Sequence, residues 1–219
     1  MMDWTVQSRS TMNPCQITDT SADSRMRLLQ AACEVFATEG YRAAGVDRIA
    51  AAAGVAKQTL YNHFSGKAEL FAAAIRMVVG EMLVSLETEG GDLRARLIGF
   101  GIRYREKLLS STGLGFYRAM VAEAPRFPEL AAVFYRSGPL QAKARLRVVL
   151  DEAMARGELR RDDAEFAATL LLSMLVGYER SHYLFSGEMP PDADPANAER
   201  IVDCFLRAFA PDTKRRGKP

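Results

Sequence analysis

Residues 46–64, VDRIAAAAGVAKQTLYNHF, leave the backbone few choices. Val46, Ile49, Ala50 and Ala53 recur at helical spacing, which predicts a short helix. Gly54 follows, and helices often close on a residue with positive φ, which glycine adopts without a Cβ penalty. Val55 fills the corner, and a second helix from about Ala56 or Lys57 to His63 buries Leu60 and Phe64. Helices joined by so short a turn cross steeply and come close, which calls for a small residue at Ala50.

The outer faces of the second helix carry Lys57, Gln58, Thr59, Tyr61, Asn62 and His63. None is acidic and nearly all can donate a hydrogen bond, as a helix entering a DNA major groove requires. Local charge agrees. Residues 41–67 hold Arg42, Arg48, Lys57 and Lys67 against the single acid Asp47, whereas the whole chain carries a formal charge of only +2.

The remaining punctuation predicts helices throughout. An N-terminal segment, 1–22, is polar and aperiodic and reads as a tail. A helix from about Ser24 to Gly40, with its stripe at Leu28, Ala32, Val35 and Phe36, braces the pair. A long helix starting at Lys67 and reaching about Glu87 follows, with Glu69 in its first turn. Asp92 is a plausible cap for a helix over 93–109, and another covers 114–123. A helical stretch over 128–156 is broken at Gly138-Pro139 and closed by Gly157. Asp162-Asp163-Ala164-Glu165 reads as a capping box opening a helix to about Phe185. That helix contains LLLSMLVGY, apolar around its whole circumference, so it is buried on more than one side. A last amphipathic helix spans about 195–209.

Several function classes lose support. Cys15, Cys33 and Cys204 are widely spaced, and neither a disulfide framework nor a zinc site fits them. They read as small buried hydrophobes in a reducing compartment, with Cys15 the more exposed. His63 and His182 are the only histidines, the usual catalytic motifs are absent, and Gly113-Leu114-Gly115 lacks a dinucleotide-binding context. No enzyme, cofactor or metal is expected. Residues 1–20 do not pattern as a signal peptide, and the longest apolar run, 166–178, is too short to cross a bilayer. A cytoplasmic protein without membrane contact is the expectation.

The segments LLQAACEVFATEGY, VDRIAAAAGVAKQTLYNHF and SGKAEL together resemble the DNA-binding domain of the TetR family of bacterial transcriptional regulators. FYRAMVAEAPRFPELAAVFY and GPLQAKARL resemble, more weakly, the C-terminal domain of AefR-like members. The resemblance implies a homodimer whose second helix of the pair docks in the major groove of a pseudo-palindromic double-stranded operator. By that likeness Lys57, Gln58, Thr59 and Asn62 face base edges; Thr59, Tyr61, His63 and Lys67 meet phosphates; Arg48 lies near the backbone. Gly45, Ala56 and Gly66 stand where the family often has capping hydroxyls or amides.

The expected fold is therefore all-α. A helix-turn-helix DNA-binding domain (23–66) is joined by a connecting helix (67–88) to a helical ligand-binding and dimerisation domain (89–210), with a basic tail at 211–219. A small hydrophobic effector is expected among the aromatic and methionine positions of the middle helices: Phe100, Tyr104, Phe116, Tyr117, Met120, Phe134, Met174 and Tyr178. Helices near 164–184 and 196–209 are expected to pair with a second copy as a four-helix bundle. The function that follows is a repressor released from its operator by ligand; a thiol-responsive regulator is the alternative and a helical enzyme a remote one.

Overall fold

A computed structural model describes residues 14–87, 92–189, 194 and 196–211. Among them the order is α1 (Pro14–Ala43), α2 (Val46–Ala52), α3 (Lys57–His63), α4 (Lys67–Leu83), a 3-10 turn (Val84–Leu86), α5 (Leu93–Leu108), α6 (Ser111–Glu123), α7 (Pro128–Ser137), α8 (Pro139–Ala155), α9 (Ala164–Ser186) and α10 (Asn197–Ala208). No strand occurs among the described residues. None of the described helices is long and apolar enough to cross a membrane.

The helices close two cores. Leu28, Ala32, Val35 and Phe36 of α1 meet Ile49 and Ala50 of α2, Leu60 of α3 and Leu70, Phe71 and Ala74 of α4 in the first. The second gathers Leu97 and Phe100 of α5, Leu146 and Leu150 of α8, Leu171 and Leu175 of α9 and Val202 and Phe205 of α10. Val79, Met82 and Leu83 of α4 also belong to this second core. One helix thus inserts into both, its first half in one and its last turns in the other. Displacement of either core must be felt in its neighbour, because close-packed interiors transmit strain.

Helix ends follow the local chemistry, with some departures. At Gly54 φ is 65°. The Val55 N–H donates to Ala50 O (3.0 Å) and the Gly54 N–H to Ala51 O (3.1 Å), which is the Schellman arrangement. The break at 138–139 is real, and α7 and α8 both begin on proline. Helix α1 starts at Pro14 rather than near Ser24, so part of the expected tail is helical. Proline fits a first helical position, because its missing N–H has no intrahelical acceptor there. Residues 21–27 are mostly exposed, so no apolar stripe signals this extension in the sequence. The rest of the expected tail, 1–13, lies outside the described residues, as do 212–219.

The cap of α9 is Asp163, not Asp162. Its carboxylate accepts from the Glu165 N–H (2.8 Å) and the Phe166 N–H (3.3 Å). Glu165 turns away to Lys143 (2.6 Å) instead of closing a capping box. Asp92 precedes α5 without a side-chain cap bond, and α6 starts at Ser111, capped by Ser110.

Gly113 is explained by this last turn. A Cβ there would lie 2.1 Å from the Lys107 carbonyl oxygen, a backbone atom that cannot swing aside. Gly113→Ala is therefore expected to cost about 1–3 kcal/mol through forced backbone displacement, read as a lower denaturant midpoint. An unchanged midpoint would show that the α5–α6 turn is not held as closely as described.

The all-round apolar helix α9 divides its surface. Ala164, Ala167, Ala168, Leu171, Leu175 and Val176 are buried, while Phe166, Tyr178 and Phe185 are 56%, 72% and 92% exposed. These three lie along one outward strip with Leu170 and Met174 half-buried between them.

Candidate functional site

Two features stand out: the exposed face of α3 and a cavity behind α4. The α3 face is built by the α2–α3 corner. Arg27 of α1 donates to the Ala53 carbonyl (3.3 Å) and so closes the end of α2. Arg25 lies over the Phe64 ring, 5.4 Å from its centroid, where α3 ends. Both arginines therefore brace the helix pair. Gly45, Ala56 and Gly66 provide no side-chain cap bonds, as their types dictate. At α4 Glu69 reaches back to the Ser65 N–H (2.6 Å), one residue before the N-cap, and hydrogen bonds from the Ser65 side chain and backbone hold its carboxyl below the ordinary glutamate range.

The residues that the family likeness points to lie on α3 and on the two helices that flank it. Arg48, Lys57, Gln58, Tyr61 and Asn62 are exposed; Thr59, His63 and Lys67 are half-buried. Gln58 donates to Asn62 Oδ1 (3.1 Å) one turn on, so the two amides form one pre-set donor and acceptor surface. Such amides can bond adenine bidentately.

The cations are tethered. The Lys57 ammonium sits 2.7 Å from Asp47, and that bond pushes its pKa up. Arg48 pairs with Glu39 at 3.3 Å. Lys67 Nζ donates to the Arg42 carbonyl (3.1 Å) and lies over the Tyr41 ring, 4.7 Å from its centroid. Burial draws the Lys67 pKa down, opposed by the charge of Glu123 at the end of α6. Glu123 Oε2 is itself buried without a hydrogen-bond partner. The charge of Glu123, from the second half of the chain, thus acts on a cation that would meet phosphate.

The cavity has a volume of about 840 Å³, within the range that holds drug-sized ligands. Its walls come from Cys33 and Phe36 of α1, Ile75, Val78 and Val79 of α4, Tyr104 of α5, Phe116 and Tyr117 of α6, Phe134 of α7 and Leu172 and Arg180 of α9. Of the positions expected to line a pocket, Tyr104, Phe116, Tyr117 and Phe134 do so. Phe100 and Met120 are in the two cores, Met174 packs half-buried against the second core, and Tyr178 faces outward. Residue type alone did not separate these outcomes, because the choice depends on which side of each helix turns inward.

Sequence reading also passed over Ile75, Val78 and Arg180. The α4 positions carry an ordinary core pattern, and Arg180 looks solvated in sequence. Cys33 lines the cavity, and burial pushes its thiol up to about 11. It is almost wholly protonated near neutral pH, whereas the thiolate is the reactive form. That removes the main support for thiol sensing at Cys33. Cys204 is exposed rather than buried as expected, because it falls on the outer side of amphipathic α10 while Val202 and Phe205 turn inward, and the side chain of Cys15 lies outside the described residues.

A chain of rings links the first core to the cavity. Phe36 meets Phe71 edge-on at 5.2 Å, Phe71 meets Phe116 at 5.8 Å, and Phe116 meets Phe134 at 5.5 Å. Phe36, Phe116 and Phe134 face the cavity, while Phe36 and Phe71 are buried in the first core.

Comparison with known proteins agrees with both halves. Residues 28–74 match the family model of bacterial regulatory proteins of the tetR family, and 95–211 match the C-terminal domain of AefR-like transcriptional repressors. The HTH-type transcriptional activator FasR of Mycolicibacterium smegmatis is 49% identical over 61 residues, 28% of each chain. An uncharacterized HTH-type transcriptional regulator of Mycobacterium tuberculosis, Rv1556, is 31% identical over 178 residues, 80% of this chain and 82% of that one. Among solved structures, the flavonoid-responsive regulator FrrA is 29% identical, with a TM-score of 0.62 over 87% of this chain and 99% of the other. A TetR family transcriptional regulator from Pseudomonas syringae is 26% identical, with a TM-score of 0.59 over 85% and 96%.

Proposed function

The chain belongs to the TetR family of DNA-binding transcriptional regulators, and we propose that it is a homodimeric repressor released from a pseudo-palindromic operator when a small, largely hydrophobic effector enters the cavity. The observation that carries this is the placement of α4, whose two ends lie in two different cores and whose middle lines the cavity.

Each protomer presents one α3. Gln58 and Asn62 read base edges with Lys57 and Thr59, while Tyr61, His63 and Lys67 hold phosphates and Arg48 lies at the groove edge. Two copies read half-sites about 34 Å apart, one turn of DNA. The dimer forms through α9 and α10, for which the exposed strip of Phe166, Tyr178 and Phe185 supplies apolar area that water otherwise covers. An effector packed against Ile75, Val78 and Phe116 favours a different setting of α4 and α6. The α3 spacing and the Glu123–Lys67 distance change with it. By linkage, effector and operator weaken each other by one factor.

Ionic-strength dependence tests the DNA face. Wild-type protein is expected to bind DNA from upstream of its own gene with affinity that falls linearly on a log–log salt plot. Lys67→Ala should flatten that slope by about 1 for each phosphate the protein no longer neutralises. Asp47→Asn frees Lys57 from its carboxylate and should steepen it. An Asp47→Asn slope equal to wild type would remove Lys57 from the charged contacts.

A further inference from the structure

The cavity wall carries four charged side chains: Glu106, Lys107, Lys143 and Arg180. Three are accounted for. Lys107 Nζ is 2.6 Å from Glu81, Lys143 Nζ is 2.6 Å from Glu165, and Glu106 is exposed. Arg180 differs. Its guanidinium lies over the ring of Tyr117, another wall residue, 4.2 Å from the centroid, and it enters no ion pair among the described residues. Tyr104, buried on the same wall, is near enough for the Arg180 charge to act on its phenol.

Stacking fixes the plane of a guanidinium and covers one of its faces, but leaves its in-plane N–H donors unspent. That fork matches a carboxylate or phosphate better than any neutral group. Elsewhere the wall is mainly apolar, with Ile75, Val79, Phe116, Phe134 and Leu172. A mainly apolar cavity with one cation outside any ion pair is complementary to a ligand with one acidic group on an apolar body.

We propose that the effector is such an amphiphilic acid, with its carboxylate on Arg180 and its apolar part among the α4, α6 and α7 side chains. This rests on the reading of the cavity as the effector site. Lys107 and Lys143 take no part, because their glutamates already satisfy them. Tyr117 acts as a positioning residue that holds the guanidinium plane.

The experiment compares acids with matched alcohols on the full-length dimer by calorimetry: decanoate with 1-decanol, and 2-naphthoate with 2-naphthalenemethanol. Displacement of Nile red, a neutral dye, reports whether the cavity takes apolar guests at all. In at least one pair the acid should bind about tenfold more tightly than its alcohol, as a charge-assisted hydrogen bond implies. Arg180→Gln should bring the acid down to the alcohol's affinity and leave the alcohol unchanged, which also shows that the variant is folded. Arg180→Lys should restore part of the preference. Alcohols binding as well as acids in both pairs, or an acid indifferent to Arg180→Gln, overturns this inference and leaves the cavity reading standing. Failure of Nile red and of all four probes to bind overturns both.

Discussion

Replacing Arg105 with alanine is expected to destabilise the fold by about 3–5 kcal/mol, the cost of breaking a buried ion pair from one side. Arg105 is 1% exposed in the middle of the second core. Its Nη1 lies 2.9 Å from Glu179 Oε1 and 2.5 Å from the Leu175 carbonyl, and its Nη2 donates to the Asp194 carbonyl at 3.0 Å. One guanidinium therefore joins α5, α9 and the turn before α10. Alanine would leave the Glu179 charge without its partner and a void beside it. The lower end of the range is favoured, because Glu179 keeps 14% of its side-chain exposure. At about 2–4 °C per kcal/mol for a chain of this size, the melting temperature should fall by roughly 6–20 °C. Wild type and variant need equal protein concentration, since dimerisation adds to apparent stability. Arg105→Met combined with Glu179→Leu should recover most of the loss, because apolar replacement of both partners removes the desolvated charge. A melting temperature unmoved by Arg105→Ala would mean that the pair is solvated in solution.

The second large effect is on DNA. Asn62→Ala should weaken operator binding by about 2–6 kcal/mol, since a bidentate base contact contributes about 1–3 kcal/mol and a dimer makes it twice. The structure adds a reason for the upper half of that range. Gln58 donates to Asn62 Oδ1, so removing Asn62 also frees Gln58 to rotate. Gln58→Ala and the double variant form a cycle in which the two losses should add to more than the loss in the double variant. Fluorescence anisotropy at one fixed salt concentration measures all three. Simple additivity would mean that the two amides read DNA independently, and no loss for Asn62→Ala would take it away from the bases.

What was legible in the sequence is what is written locally. The Gly54 corner, the Gly138-Pro139 break and the buried stripe of α1 rest on residues within a turn of one another, and they stand where expected. The exposure of Lys57, Gln58, Tyr61 and Asn62 was legible for the same reason, since they lie within the seven residues of one helix. Properties fixed by distant partners were hidden. Arg105 reads as a solvated charge until α9 brings Glu179 to it. Asp162 and Asp163 are equivalent as caps until the backbone selects one, and Glu165 is drawn away by Lys143 of α8. Phe100 and Phe116 are the same residue type on neighbouring helices, yet one fills a core and the other faces the cavity. Helix α9, apolar on every side, gave no sign of which side Tyr178 would occupy. Arg180 escaped notice because an arginine on a helix ordinarily reaches water; its place over Tyr117 follows from packing between α9 and α6.

The central claim is that paired α3 helices read an inverted repeat. Selection of bound sequences from a random double-stranded DNA library tests it most directly. The protein should enrich a pseudo-palindrome whose half-site centres lie about one helical turn apart, roughly 10 base pairs. Asn62→Ala should lose preference at symmetric positions within that motif. Absence of an enriched motif, enrichment of a single asymmetric half-site, or a motif unchanged by Asn62→Ala would contradict the account.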